Sequence, residues 1–245
     1  MHCVFDRNAP LDLVQWLVEQ WPEAIMVTDS DGQLPLHSAC SQNAPLRVIQ
    51  WLVEQWPNAI KETTNDGQLP LHIACRYWTA PLSVMQWLLE QWPEAIKVTD
   101  IGGNFPLHYA CTDRNARLDI IQWLVEQWPD AINETNNDGQ LPLHTACQNW
   151  HAPLNNMQWL VKQWPEAIKE SDNDGWFPLH HVCGNQRAPL DVIQWLVEQW
   201  PEAIKEKDNR GQLPLHLASQ ADVKLDIIQW LVEQWPDSVK EINNN

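Results

Sequence analysis

A ten-residue block of mixed polarity, typified by Leu82 to Gln91, recurs along the chain and is followed each time by a Trp-Pro step. Placed at about 100° per residue, Leu82, Val84, Met85, Leu88, Leu89 and Trp92 fill one broad sector. The pattern predicts an amphipathic helix with that sector buried. A residue before proline is turned away from the α region, so the helix should end near Gln91 or Trp92, with Pro93 to Ile96 forming a short terminal turn. Upstream of each block lies a shorter one of the form Pro-Leu-His-x-Ala-Cys. Its proline (Pro35, Pro70, Pro106, Pro142, Pro178, Pro214) stands where the first helical residue would be, and its missing N–H costs nothing there. Before that comes a turn such as Asp138-Gly139 or Asp174-Gly175, whose glycine supplies the positive φ of a tight hairpin. A second proline (Pro45, Pro81, Pro153, Pro189, replaced by Arg117 and Lys224) opens the longer helix. Each unit therefore reads as hairpin, short helix, long helix and polar connector.

The histidine marks the beat. His37, His72, His108, His144, His180 and His216 follow one another at 35 residues once and 36 thereafter, and His2 lies 35 before His37. A fixed period in this range is the mark of stacked repeats, in which each unit buries its apolar face against its neighbours. Seven repeats result, the first truncated, at approximately 1–30, 31–65, 66–101, 102–137, 138–173, 174–209 and 210–245, forming one repeat domain. The first lacks its hairpin and proline, and the last keeps the ordinary apolar pattern where a polar capping face is normally needed. The chain is therefore expected to be a fragment of a longer array, or its ends to associate with one another.

Composition narrows the picture. With 44% hydrophobic residues and 17 tryptophans, the chain has the apolar surface to fold. A net charge of −17 keeps it soluble, repels phosphate backbones and anionic headgroups, and favours a basic or neutral partner over nucleic acid or membrane. No apolar stretch approaches the ~18 residues of a membrane span, and the first residues do not resemble a signal peptide. The six cysteines come one per repeat. Stacked helices lie ~8–10 Å apart, so equivalent Cα atoms should exceed the ~7 Å disulfide limit. Reduced thiols and an intracellular setting follow, cytoplasmic in the first place, with the nucleus left open.

The segment GQLPLHTAC resembles the ankyrin repeat, whose short helix opens on TPLHxAA, and the resemblance covers essentially the whole chain. The period exceeds the ankyrin 33 by residues placed between the helices and at the Trp-Pro step. Leu34, Leu69, Phe105, Leu141, Phe177 and Leu213 stand where ankyrins place threonine, so a capping hydroxyl of typically about 0.5–2 kcal/mol is missing. Apolar packing by those residues is expected to compensate, with less regular short-helix ends. The WPEAI ending also departs from the ankyrin pattern, which marks a divergent, tryptophan-rich subfamily. The resemblance implies a mainly α, right-handed solenoid of helix-turn-helix repeats, a histidine that ties its own repeat to an adjacent loop, and a non-catalytic role in binding proteins.

Histidine and cysteine three residues apart, as in His144 and Cys147, share a helix face and suit two metal ligands, but zinc needs three or four. Equivalent pairs lie a whole repeat away, and Ser219 replaces the last cysteine. No metal or cofactor is expected. A catalytic constellation is singular and the repeat is not, which argues against an enzyme. Two tryptophan ladders run along the array. Trp21, Trp56, Trp92, Trp128, Trp164, Trp200 and Trp235 are expected in the core, at about 4–6 kcal/mol each as an upper bound. Trp16, Trp51, Trp87, Trp123, Trp159, Trp195 and Trp230 stand off the buried sector and are expected to pack between repeats. Their alternative is an exposed ladder for a polymeric ligand on the convex face.

The residues that vary against this scaffold point to a surface. Arg76, Tyr77, Trp78, Tyr109, Arg114, Trp150, His151, Trp176, His181 and Arg187 concentrate aromatic and basic side chains in the middle repeats. In ankyrin-like stacks the hairpin tips and short helices face the concave groove, and this composition matches interface hot spots. A protein or peptide with a basic or neutral surface is the expected partner. Loop drift under weak constraint is the competing explanation of the same variation.

Overall fold

The computed structural model describes residues 10–77, 80–112, 116–149 and 153–241, and all regular structure among them is helical. Two compact units divide the chain, Met1–Asp113 with Asp119–Ala131, and Arg114–Leu118 with Ile132–Asn245. The first holds α1 (Leu11–Gln20), α2 (Pro35–Ser41), α3 (Leu46–Gln55), α4 (Pro70–Arg76), α5 (Leu82–Gln91), α6 (Pro106–Thr112) and all but the first residue of α7 (Leu118–Gln127). The second holds α8 (Pro142–Gln148), α9 (Leu154–Gln163), α10 (Pro178–Cys183), α11 (Leu190–Gln199), α12 (Pro214–Gln220) and α13 (Leu225–Gln234). In the first unit α2 packs on α4 and α4 on α6, while α1 meets α3 and α3 meets α5. In the second, α8 packs on α10 and α10 on α12. Short helices also pack on the long helices that follow them, as α4 does on α5 and α10 on α11. Within each unit the helix pairs thus stack in chain order.

The long helices form where the polarity pattern places them. Val84, Met85, Leu88 and Leu89 are buried on α5, and Val192, Ile193, Leu196 and Val197 are buried on α11. Each ends at the glutamine before the Trp-Pro step because the pre-proline tryptophan is extended, with φ −146° and ψ 89° at Trp92. A five-residue 3-10 helix follows, such as Pro93–Lys97 or Pro201–Lys205, and buries its alanine and isoleucine.

That geometry overturns the expectation for the first tryptophan ladder. Trp56, Trp92, Trp128, Trp164, Trp200 and Trp235 are only half-buried, and Trp21 is 52% exposed. Because the residue has left the helix, its place on a helical wheel no longer says where its ring goes. The core position passes to the isoleucine four residues on, Ile60, Ile96, Ile168 or Ile204. The rings rest instead on their edges and faces: Trp128 lies edge-on to Phe105 at 5.1 Å between centroids, and Trp200 to Phe177 at 5.3 Å. The Lys61 amine lies 5.5 Å from the centroid of the Trp92 ring and the Lys97 amine 5.8 Å from that of Trp128, joining consecutive repeats by cation–π contacts. The 4–6 kcal/mol of full burial is therefore not realised. In the second ladder Trp51, Trp87, Trp123, Trp159, Trp195 and Trp230 are half-buried and Trp16 is exposed.

The missing threonine cap has a replacement, and the short helices are regular. Nδ1 of His37, His72, His144 and His216 accepts the backbone N–H of Leu34, Leu69, Leu141 and Leu213 at 3.0–3.1 Å. His108 and His180 do the same for Phe105 and Phe177 at 3.2 and 3.3 Å. With Nδ1 accepting, the neutral ring carries its proton on Nε2, which points that N–H at a carbonyl of an adjacent loop: Gln68, Val98, Glu170, Gln212 and Glu241 for His37, His72, His144, His180 and His216. The role implied by the resemblance is realised, and the leucine or phenylalanine before each proline lends only its backbone to the cap. The cysteine of α2, α4, α6, α8 and α10 lies in the core. Cys40, Cys75, Cys111, Cys147 and Cys183 are buried outside any disulfide, and burial pushes Cys40 and Cys111 up to about 12.

Burial lowers His72 and His180 to about 4, against partial opposition from Asp100 and the backbone at His72 and from the backbone and Asp208 at His180. Between that value and the ordinary 6.5 the unfolded chain binds protons that the folded chain refuses. The stabilisation is complete above about pH 6.5 and lost as the pH falls toward 4, by up to about 3 kcal/mol per histidine. The urea midpoint, measured at about 0.5 M salt to screen the net charge, should fall over that window. A midpoint that holds or rises would show that these histidines protonate in place.

Candidate partner-binding surface

Each hairpin is closed by a side chain three residues before the turn glycine: Asp29, Thr64, Asp100, Asn136, Asp172 or Asp208. Asp172 Oδ1 accepts the N–H groups of Asp174 at 3.0 Å and Trp176 at 2.8 Å, and Asp208 Oδ1 those of Arg210 at 2.9 Å and Gln212 at 2.7 Å. Successive hairpins are then bonded together. Asn209 N donates to Asp174 O at 3.0 Å, its side chain to Asn173 O at 2.9 Å, and in the first unit Asn65 N donates to Asp31 O at 3.0 Å. The approach is close enough that a Cβ on Gly175, whose φ is +78°, would sit 2.7 Å from Asn209 N. Only glycine satisfies both demands.

On this frame the residue after the repeat histidine reaches the carboxylate of the hairpin just before its helix in two places. In the first unit the Tyr109 hydroxyl donates to Asp100 Oδ2 and accepts from Gln68 Nε2 at 2.8 Å. Burial, then the Asp100 carboxylate, raise the Tyr109 phenol well above its ordinary value. The Arg76 guanidinium lies 5.9 Å from the centroid of the Tyr109 ring.

In the second unit His181 Nε2 lies 2.9 Å from Asp172 Oδ2, and both side chains are almost wholly buried. The contact is close, but the ring N–H is not aligned on the oxygen as in a well-formed hydrogen bond. Burial alone would raise the Asp172 carboxyl. The His181 imidazole and the backbone N–H groups of Trp176 and Asp174 outweigh it and hold Asp172 below the ordinary carboxylate value. The Trp176 ring meets His181 edge-on at 5.2 Å, its Nε1–H donates to Asp208 Oδ2 at 3.1 Å, and a Cβ on Gly184 would stand 3.2 Å from it. These groups border an open pocket of about 400 Å³ whose walls include Asp172, Asp174, Trp176, His181, Gln148 and Gln186.

The structure places the residues singled out by variation unevenly. Arg76, Tyr77 and Arg187 are exposed, Tyr109 and Trp176 half-buried, and His181 buried, so His181 shapes the surface from beneath. Arg76 and Tyr109 come together in the first unit, and Trp176 and His181 in the second. Trp78, Arg114, Trp150 and His151 lie outside the described residues. Asp100, Asp172, Asp208 and Gly184 were missed. The carboxylates were legible as an Asx position at fixed distance from the glycine. Gly184 stands out in the sequence only as a small residue where other repeats carry larger ones, and its pairing with Trp176 shows only in the structure. Among the described residues no three histidine, cysteine or acidic side chains form a metal-holding group, and no helix is long and apolar enough to cross a membrane.

Helix pairs that stack in chain order within each unit, capped by a histidine and joined by bonded hairpins, define a helical-repeat protein. The family model described as ankyrin repeats (3 copies) matches the chain over residues 1–100, 81–172 and 151–244, and the chain belongs to the ankyrin-repeat family. Among curated proteins there is no match. Ankyrin repeats mediate protein–protein interaction, and proteins built from them are typically non-catalytic scaffolds.

Replacing His181 by leucine removes the imidazole beside the buried Asp172 Oδ2, leaving only the backbone bonds to Oδ1. His181→Leu should lower stability by about 1–3 kcal/mol at pH 7 in urea titrations. The loss should shrink in acid, once the carboxylate left without its imidazole takes up a proton. A loss independent of pH would place the effect in packing.

Proposed function

We propose that the chain is a non-catalytic scaffold that binds a protein or peptide of basic or neutral surface on the hairpin and short-helix face of its middle repeats. The observation that carries this reading is the concerted departure of Trp176, His181 and Gly184 from the repeat: the glycine makes room for the indole, and the histidine supports it from below. Matched changes at three positions around one pocket, between Trp176 and Gly184, favour a shared role over independent drift. Exposed Arg76, Tyr77 and Arg187 add side chains of the kind enriched at interface hot spots. The net charge of −17 favours a cationic partner, and the buried thiols suit an intracellular, cytoplasmic setting.

A second reading rests on the half-buried tryptophans of the long helices. A groove of about 450 Å³ between α5 and α7 is walled by Trp123, Gln86, Glu90, Pro93 and Ile96, and would suit a polymeric ligand. Peptides selected on the immobilised chain separate the two. Tyr77→Ala, Trp78→Ala and Trp150→Ala should each weaken the selected peptides about tenfold or more, and Trp87→Ala and Trp159→Ala by less than about twofold. Loss confined to the second pair would overturn the short-helix reading.

A further inference from the structure

The two places where the residue after the repeat histidine reaches its hairpin carboxylate are built alike but filled differently. In the first unit the side chain after Cys75 is Arg76, and its guanidinium covers the Tyr109 ring beside Asp100. In the second unit the equivalent residue, after Cys147, is Gln148, a shorter neutral side chain, and there the pocket of about 400 Å³ opens beside His181, Asp172 and Trp176. Its one broad aromatic wall is Trp176, pinned by Asp208 through its N–H and seated against Gly184, so the ring is presented in a fixed orientation. The exposed Asp174 carboxylate and the Gln148 and Gln186 amides stand around it.

We propose that this pocket receives an arginine side chain of the bound partner, whose guanidinium stacks on Trp176 and pairs with Asp174, as Arg76 covers Tyr109 within the chain itself. The proposal rests on the scaffold reading above and adds the chemistry of one subsite. A guanidinium is favoured over an ammonium because its planar face stacks on an indole while its edge still donates several hydrogen bonds. Four amide side chains line the pocket, Gln140, Gln148, Asn185 and Gln186, and an amide carbonyl oxygen is able to accept such bonds.

The test uses the full chain and three blocked tripeptides, acetyl-Gly-Xaa-Gly-amide with Xaa arginine, lysine or citrulline. The indole N–H resonance of Trp176 is identified by its loss in Trp176→Phe. The arginine peptide should shift it saturably at up to about 10 mM, with lysine weaker and citrulline at least about tenfold weaker. Gln148→Arg, which supplies the chain's own guanidinium, should abolish the shift. Asp174→Asn, an exposed change that leaves the fold intact, should weaken binding about threefold or more. Equal response to arginine and citrulline, no response to arginine, or binding indifferent to both substitutions would overturn the proposal. If selected peptides still need the short-helix face without needing arginine, the subsite alone falls. If the arginine peptide binds here while selected peptides ignore that face, the scaffold reading falls and the subsite stands.

Discussion

The constraint on which the rest depends is the neutral histidine at the third position of each short helix. Its Nδ1 must accept the N–H that a hydroxyl would otherwise cap, and its Nε2–H must reach a carbonyl of an adjacent loop, so a single ring satisfies a helix start and fixes a loop against it. Burying a polar side chain is costly unless its hydrogen-bonding groups are satisfied, and this arrangement satisfies both nitrogens at once. The apolar residues of the short and long helices, such as α4 and α5 or α10 and α11, supply the burial, but they do not choose where a hairpin sits. The histidine does, and the hairpin Asx and interhairpin bonds then hold the tip in one place.

A surface built this way can vary without losing its frame. The residue after the histidine projects toward the hairpin carboxylate, so Tyr109 and His181 find the same kind of partner in Asp100 and Asp172. Trp176 extends the second of these onto the carboxylate of the next hairpin, Asp208. The scaffold therefore lends fixed polar anchors to side chains that differ from repeat to repeat.

Much of this was legible in the chain. The 36-residue beat, the helix that stops at Gln91 before Trp92-Pro93, and the positive φ of Gly175 each follow from a local rule that tertiary packing had no reason to break. The tryptophans were misplaced for the converse reason. A helical wheel assigns Trp92 to the buried sector only if the helix continues, and Pro93 ends it one residue earlier, leaving Ile96 to take the core. The cap is not visible as a hydroxyl at the position before the proline, because the acceptor sits three residues on, at His72 Nδ1. The pairing of Trp176 with Gly184 needs coordinates, since nothing in spacing alone says that a ring after one hairpin lies over the end of α10.

The central claim, that each repeat is locked by a neutral histidine accepting at Nδ1 and donating at Nε2, is tested most directly by nitrogen NMR of the labelled protein. The account predicts Nε2–H tautomers throughout and a scalar coupling across the hydrogen bond between the Leu69 amide nitrogen and His72 Nδ1. A protonated Nδ1 at His72, or a ring exchanging between tautomers with no such coupling, would contradict it.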